Sequence, residues 1–228
     1  MPTNNNSAGK LRKLFVATLG FDEKFIIRSL IRNGLSIGDS VIIFAPKGYL
    51  QDDKSAKAAE AVKEIVAKIL PNIELRIEEY NLREGFAEEI CRIRSVILSY
   101  EFDAVIACLS GGMRALILGV FSTLLTLNSY RIIIEVEFEN LEHYIRIPLN
   151  TLKTPYSNRW LTILDYLSSG NSVRAISKSI GLSPATVSRI INDMRHYKLV
   201  GENNQVTEDG HFYMKMYKSL SQKIETNI

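Results

Sequence analysis

The sequence predicts an α/β domain with a mostly parallel, Rossmann-like sheet and helices on both faces, followed by a winged helix-turn-helix. Three observations predict it. Short β-branched apolar runs alternate with helical patterns from residue 14 to residue 109. A Gly turn near residue 181 separates two short amphipathic helices, the second opened by Ser-Pro. The charge balance also changes along the chain. Residues 1–150 carry 18 Lys+Arg against 19 Asp+Glu, and residues 151–228 carry 10 against 6.

In order, residues 14–19 form an apolar strand ending at Gly20, and residues 25–32 have helical spacing with Gly34 as C-cap. Residues 41–45 form a second strand, stopped by Pro46. A helix over 53–70 places Val62, Ile65, Val66 and Ile69 on one face and ends at Pro71. Strand 73–80, helix 86–100 and strand 103–109 follow. The connections are long enough for right-handed crossovers. Strands 131–138 and 144–149 are joined too closely for a parallel crossover, so they form an antiparallel hairpin at or beyond the sheet edge. The boundaries implied are an α/β domain over 11–149, a linker over 150–157 and a helix-turn-helix domain over 158–228.

Composition is that of a globular protein, with 46% hydrophobic and 23% charged residues in a chain of 228. A core of useful size can form without a disulfide or metal. Cys91 and Cys108 belong to no CxxC pair, which points to a reducing, cytoplasmic setting. Residues 1–10 read as a polar, Asn-rich tail, not a secretory signal. The uncharged stretch 115–130 is short for a membrane span and contains Ser122, Thr123 and Thr126. No membrane partner is expected, and no metal site.

Residues 172–194 carry the most specific pattern. Val173, Ile176 and Ile180 share one helix face, and Gly181 supplies a left-handed turn. Ser183 is an N-cap and Pro184 stands at the first helical position. Val187, Ile190 and Ile191 form the buried side of the second helix, and the small Ser177 lies where the helices cross. Trp160, Leu161, Leu164 and Leu167 supply a preceding helix. Residues 199–200 and 205–207 read as two short wing strands, and Thr207 caps a last helix. This is a helix-turn-helix pattern, whose second helix would enter the major groove of double-stranded DNA.

The exposed side of that helix carries Ala185, Thr186, Ser188, Arg189 and Asn192. Arg189 suits guanine O6 and N7, and Asn192 suits adenine N6 and N7. Ser183 and Thr186 lie where a helix N-terminus favours phosphate. Arg174, Lys178 and Arg195 would face the DNA backbone. The wing tip, residues 201–204, has no Lys or Arg.

A second pattern lies at Ser110, Gly111, Gly112, Met113 and Arg114, where a buried strand runs through a Gly-rich turn into a helix. Backbone N–H groups at such a helix N-terminus suit phosphate or another anion. It is not a P-loop, a dinucleotide fingerprint or a nucleophile elbow. Arg114 in a first helical turn opposes the helix dipole unless something negative is near, either a bound anion or an acid such as Asp103 or Glu101. In a doubly wound sheet the loop Thr18, Leu19, Gly20, Phe21 and Asp22 faces this turn across the topological switch point. Thr18 can donate a hydrogen bond and Gly20 allows close approach. Phe21 stacks on a base or joins the core, and Asp22 caps the next helix. The helix after Arg114 is apolar nearly all round, which favours contact with a second subunit over complete burial.

With its Thr-Leu-Gly-Phe loop, Ser-Gly-Gly-Met-Arg turn and winged helix, the chain resembles the CARF–winged-helix transcription regulators of archaeal type I-A CRISPR–Cas systems. The resemblance implies a homodimer that binds cyclic tetra-adenylate across its twofold axis, with ligand contacts on residues 18–22 and 110–114. It also implies control of CRISPR or Cas promoters. Neither loop contains a His or Cys, so a regulator is expected over an enzyme. The alternatives are a ring nuclease that cleaves cyclic oligoadenylate and a regulator that senses another anionic metabolite.

Overall fold

A computed structural model of the protein describes residues 11–69, 71–81, 85–128 and 130–225. The tail expected over 1–10 lies outside them, as does Leu70 at the end of the second helix. The chain divides into two compact units, Met1–Ile147 and Pro148–Ile228.

The first unit contains a six-stranded sheet. Its strands are β1 (Lys13–Thr18), β2 (Ser40–Pro46), β3 (Glu74–Tyr80), β4 (Ala104–Cys108), β5 (Arg131–Glu137) and β6 (Tyr144–Pro148), in the order β3-β2-β1-β4-β5-β6. The β1–β2, β1–β4, β2–β3 and β4–β5 pairs are parallel. Strand order reverses between β1 and β4, with Ala17 opposite Cys108, so the loops leaving these strands start side by side. Residues 138–143 join β5 to its neighbour β6, and Phe138 N–H donates to the His143 carbonyl at 2.9 Å. So short a link reverses the chain, as expected for an antiparallel hairpin.

The helices are α1 (Lys24–Asn33), α2 (Asp53–Ile69), α3 (Phe86–Leu98) and α4 (Arg114–Leu125). Ile26 and Leu30 of α1 and Ala58, Ala59, Val62 and Val66 of α2 cover one sheet face, where they pack on Phe15, Ala17, Val41, Ile43 and Ile106. Alternate strand residues point the other way. There α4 packs against β1, β2 and α3 and buries Leu116, Val120 and Leu124. Central strands buried on both faces read as continuous apolar runs, which is why they were visible in the sequence.

One feature of this unit has no signature in periodicity. The side chains of Glu135 and Glu137 on β5 are fully buried. Glu135 accepts hydrogen bonds from Ser29 (2.8 Å), Arg32 (2.7 Å) and Asn33 (3.0 Å). Glu137 accepts from Arg28 (3.1 Å) and also pairs with Arg32. Arg146 of β6 reaches Glu135 at 3.5 Å, and the Arg32 guanidinium lies 3.7 Å from the Tyr144 ring centroid. The network ties α1 to β5 and β6, using charges that are costly to bury unless paired.

The second unit is helical: α5 (Leu149–Lys153), α6 (Asn158–Ser168), α7 (Val173–Ile180), α8 (Pro184–His196) and α9 (Glu208–Glu225). Ser157, Ser172 and Ser183 cap α6, α7 and α8, accepting the N–H groups of Trp160, Ala175 and Thr186. Ile163, Leu164, Ile176, Val187, Ile190, Ile191, Met194, Leu199 and Tyr213 form its core. Gly181 has φ 68° in the turn between α7 and α8, and buried Ser177 closes that turn by donating to the Leu182 carbonyl at 2.7 Å.

Two expectations are corrected. The segment 150–157, read as a linker, contains most of α5 and has Thr151 and Thr154 buried. The Tyr213 hydroxyl accepts from Ser157 N–H at 3.0 Å and donates to the Pro155 carbonyl at 2.9 Å. A tertiary anchor, not local periodicity, orders this stretch. The two expected wing strands reduce to a single bridge between Val200 and Val206.

Replacing Glu135 with Ala takes the acceptor from Ser29, Asn33 and one arm of Arg32, which keeps Glu137, and should cost about 1–3 kcal/mol. Urea denaturation followed by far-UV circular dichroism measures it, and a loss below about 1 kcal/mol would remove the network from the fold's energetics.

Candidate functional site

The loops after β1 and β4 are seated on each other. A Cβ on Gly20 would lie 2.6 Å from Gly112 N, and one on Gly112 would lie 2.7 Å from the Leu19 carbonyl. Gly112 has φ +105°, which side-chain-bearing residues rarely adopt. Thr18 is fully buried and its hydroxyl donates to the Gly111 carbonyl. It donates as expected, but to the neighbouring loop instead of a ligand, and so holds the two loops together. Leu19 is 1% exposed, and its N–H donates to Phe44 at 2.8 Å, so its side chain is core. Ser110 is also engaged: its Oγ accepts Glu137 N–H at 2.8 Å and lies 3.6 Å from Cys108 Sγ. Burial pushes the Cys108 thiol pKa up, which leaves it neutral and inert.

This seating presents a different set of groups outward. Phe21 is 67% exposed, Met113 53% and Leu118 57%. Phe21 is therefore not a core residue; Lys54 Nζ lies 5.9 Å from its ring centroid. Asp22 accepts Lys24 N–H at 2.9 Å, so it does cap the start of α1, although Glu23 occupies the formal cap position.

Arg114 is exposed at the first position of α4. Asp103 and Glu101, its possible acidic partners, are instead taken by Arg12, through Arg12 N–H to Asp103 at 2.8 Å and Arg12 Nη1 to Glu101 at 2.5 Å. Among the described residues Arg114 has no ion pair. Met113 gives α4 no side-chain cap, and its first turn has no acid. The N-terminal N–H groups of α4 and a guanidinium thus meet with nothing negative against them. This surface sets a guanidinium and a helix N-terminus beside exposed apolar side chains. Among the described residues no group of three side chains could hold a metal ion. No helix among them is long and apolar enough to cross a membrane.

In the second unit the outer side of α8 is as expected. Ala185, Ser188, Arg189 and Asn192 are exposed, as are Arg174 and Lys178 of α7. Ser183 and Thr186 bond each other, Oγ to Oγ1 at 2.9 Å, at the start of α8. Arg195 departs from expectation. It is only half-exposed, and its guanidinium reaches Asn192, Gly201, Glu202 and Asn204. Asn192 stands at helical spacing from Arg195, but the Gly201 and Glu202 carbonyls and the Asn204 side chain follow no sequence period. An open cleft of about 530 Å³ beside this turn is lined by Asn171, Ser172, Arg174, Asn203, Asn204 and Gln205, among others.

The sheet order, the paired loops and the appended helices define a Rossmann-like protein with a helical C-terminal unit. Residues 13–148 match the family model described as the Csa3 CRISPR-associated Rossmann-like domain, and the chain belongs to that family. No curated protein matches the chain. Among solved structures, one titled "Structure of the two-component response regulator RcsB-DNA complex" aligns over 82% of this chain and 92% of that chain. Identity is 12% and the TM-score is 0.21, which is too slight a likeness to carry an argument.

Gly112→Ala places a methyl group against the Leu19 carbonyl at an unfavourable φ and should cost about 1–3 kcal/mol. A thermal midpoint equal to wild type would show that the two loops are not seated as described.

Proposed function

We propose that the protein is a ligand-responsive transcription regulator in which a CARF domain senses cyclic tetra-adenylate and a winged helix-turn-helix binds CRISPR or Cas promoters. The observation that carries this reading is Arg114, exposed and without an ion pair among the described residues, at an uncapped helix N-terminus beside exposed Met113, with Phe21 exposed on the loop seated against this turn. Four phosphates in a ring supply the missing negative charge, and adenine faces suit Phe21. A second copy would complete this surface. The apolar exposure of Met113 and Leu118 supports a homodimer with the ring at its twofold axis. Membership of a CRISPR-associated family supports the setting.

In the second unit, α8 acts as the recognition helix. Arg189, exposed and without an ion pair among the described residues, reads guanine, with Ala185, Ser188 and Asn192 beside it. Ser183 and Thr186 approach phosphate at the helix start, and Arg174 and Lys178 supply backbone charge. A coupling of about 1–3 kcal/mol between the two sites would change promoter affinity by roughly 5- to 150-fold.

The test is a promoter gel shift with and without cyclic tetra-adenylate, with a change in affinity as the expected result. Arg114→Ala should weaken ring binding by about tenfold or more in calorimetry while promoter binding without ligand is retained. Undiminished ring affinity would contradict it. Arg189→Ala should cost about 1–3 kcal/mol on the best duplex and relax sequence preference; an unaltered footprint would remove Arg189 from the readout. Linear products from labelled ring would favour the nuclease reading.

A further inference from the structure

We infer that Arg195 is a positioning residue that clamps the wing to the recognition helix and sets which way Asn192 points, instead of being a contact to DNA phosphate. The inference rests on the DNA-binding reading and concerns how that site is held in shape.

The guanidinium of Arg195 lies under the turn 201–205. Nε donates to the Gly201 carbonyl at 3.2 Å, and Nη2 donates to the Glu202 carbonyl at 3.3 Å and to Asn204 Oδ1 at 2.5 Å. Nη1 donates to Asn192 Oδ1, one helical turn earlier on α8. One planar fork therefore joins three residues of the wing to one residue of the reading face. Only Arg has the number and fixed directions of donors to do this; an ammonium is a single point.

The arms of the wing are joined by one bridge, Val200 to Val206, and by the N–H groups of Gly201 and Thr207, which donate to the Gln205 and Leu199 carbonyls at 2.8 and 3.1 Å. Asn204 sits at φ 62°, and its N–H donates to the Gly201 carbonyl at 3.1 Å. The base of the wing is tied to α8 by Leu199 N–H on the Met194 carbonyl at 3.0 Å, and the Arg195 bonds tie its tip, Gly201 to Asn204.

A consequence for specificity follows. A cation donating to Asn192 Oδ1 fixes the amide orientation, with Nδ2 turned away from Arg195. Bidentate reading of adenine needs the amide oxygen and nitrogen together. Asn192 instead offers N–H donors, which suit guanine N7 or O6 and thymine O4.

The test uses the full chain as wild type, R195A, R195K and N204G. The last keeps a residue tolerant of positive φ but removes the Oδ1 acceptor. Duplexes selected by the wild type from a random library serve as specific probes, with mixed-sequence DNA as the non-specific one. R195A and R195K should both lose about tenfold on selected duplexes. The slope of log affinity against log salt should stay as in wild type. Hydrogen exchange at Gly201, Asn204 and Thr207 should quicken with Tm unchanged, and N204G should move the same way by less.

Recovery of affinity in R195K, together with a slope shallower by about 0.9 in R195A, would make Arg195 a phosphate contact and overturn the clamp. If the wild type binds no duplex, the DNA-binding reading fails, and exchange alone then decides. Quickened exchange in R195K keeps the clamp, and wild-type protection removes it.

Discussion

The structure depends on the contact between two glycine loops at the point where strand order reverses. Gly20 and Gly112 have no room for a Cβ, and the Thr18 hydroxyl closes the joint on the Gly111 carbonyl. This is a constraint of sterics at backbone distance, and it fixes where α4 begins. Because α4 begins there, Arg114 is exposed at an uncapped helix start, and Met113 and Phe21 are exposed on the two seated loops. A Cβ at either glycine would separate the strands' ends and move the start of α4 with Arg114.

The same joint is linked to the rest of the first unit through Ser110. Its hydroxyl accepts the Glu137 N–H, and the Glu137 carboxylate is held by Arg28 and Arg32 of α1. Glu135, two residues earlier, is held by the same helix and by Arg146 of β6, two residues before Pro148. An ion-paired layer thus runs from the loop at Ser110 to the strand that ends where the second unit begins. Buried ionic groups bring more geometric definition than stability, since well-packed apolar residues could replace them at similar or lower cost.

Much of this was legible in the sequence because burial on both faces writes itself as apolar runs. β1, β2, β4 and β5 are of that kind, and each lay within a residue or two of its expected bounds. Ser157, Ser172 and Ser183 cap helices by a local rule, so the starts of α6 to α8 carried signals. The loops of residues 18–22 and 110–114 were found from their glycines and from sheet topology. What was not legible were the tertiary partners: the Thr18 hydroxyl on Gly111, the acids held by α1, the Tyr213 anchor on Pro155, and Arg195 beneath a turn. Each joins residues whose separation in sequence follows no period. Arg114 is the opposite case, since its conflict with the helix dipole was visible from its position alone, and the structure leaves that conflict unrelieved among the described residues.

The central claim is that one chain carries half of a binding site, a guanidinium and a helix N-terminus that require a second copy to surround a ring of phosphates. Its most direct test is the stoichiometry of cyclic tetra-adenylate binding, read by native mass spectrometry of the full chain. The account predicts a single ring held by two chains, with no ring on the monomer. A ring bound to each separate chain, or none bound to any, would contradict it.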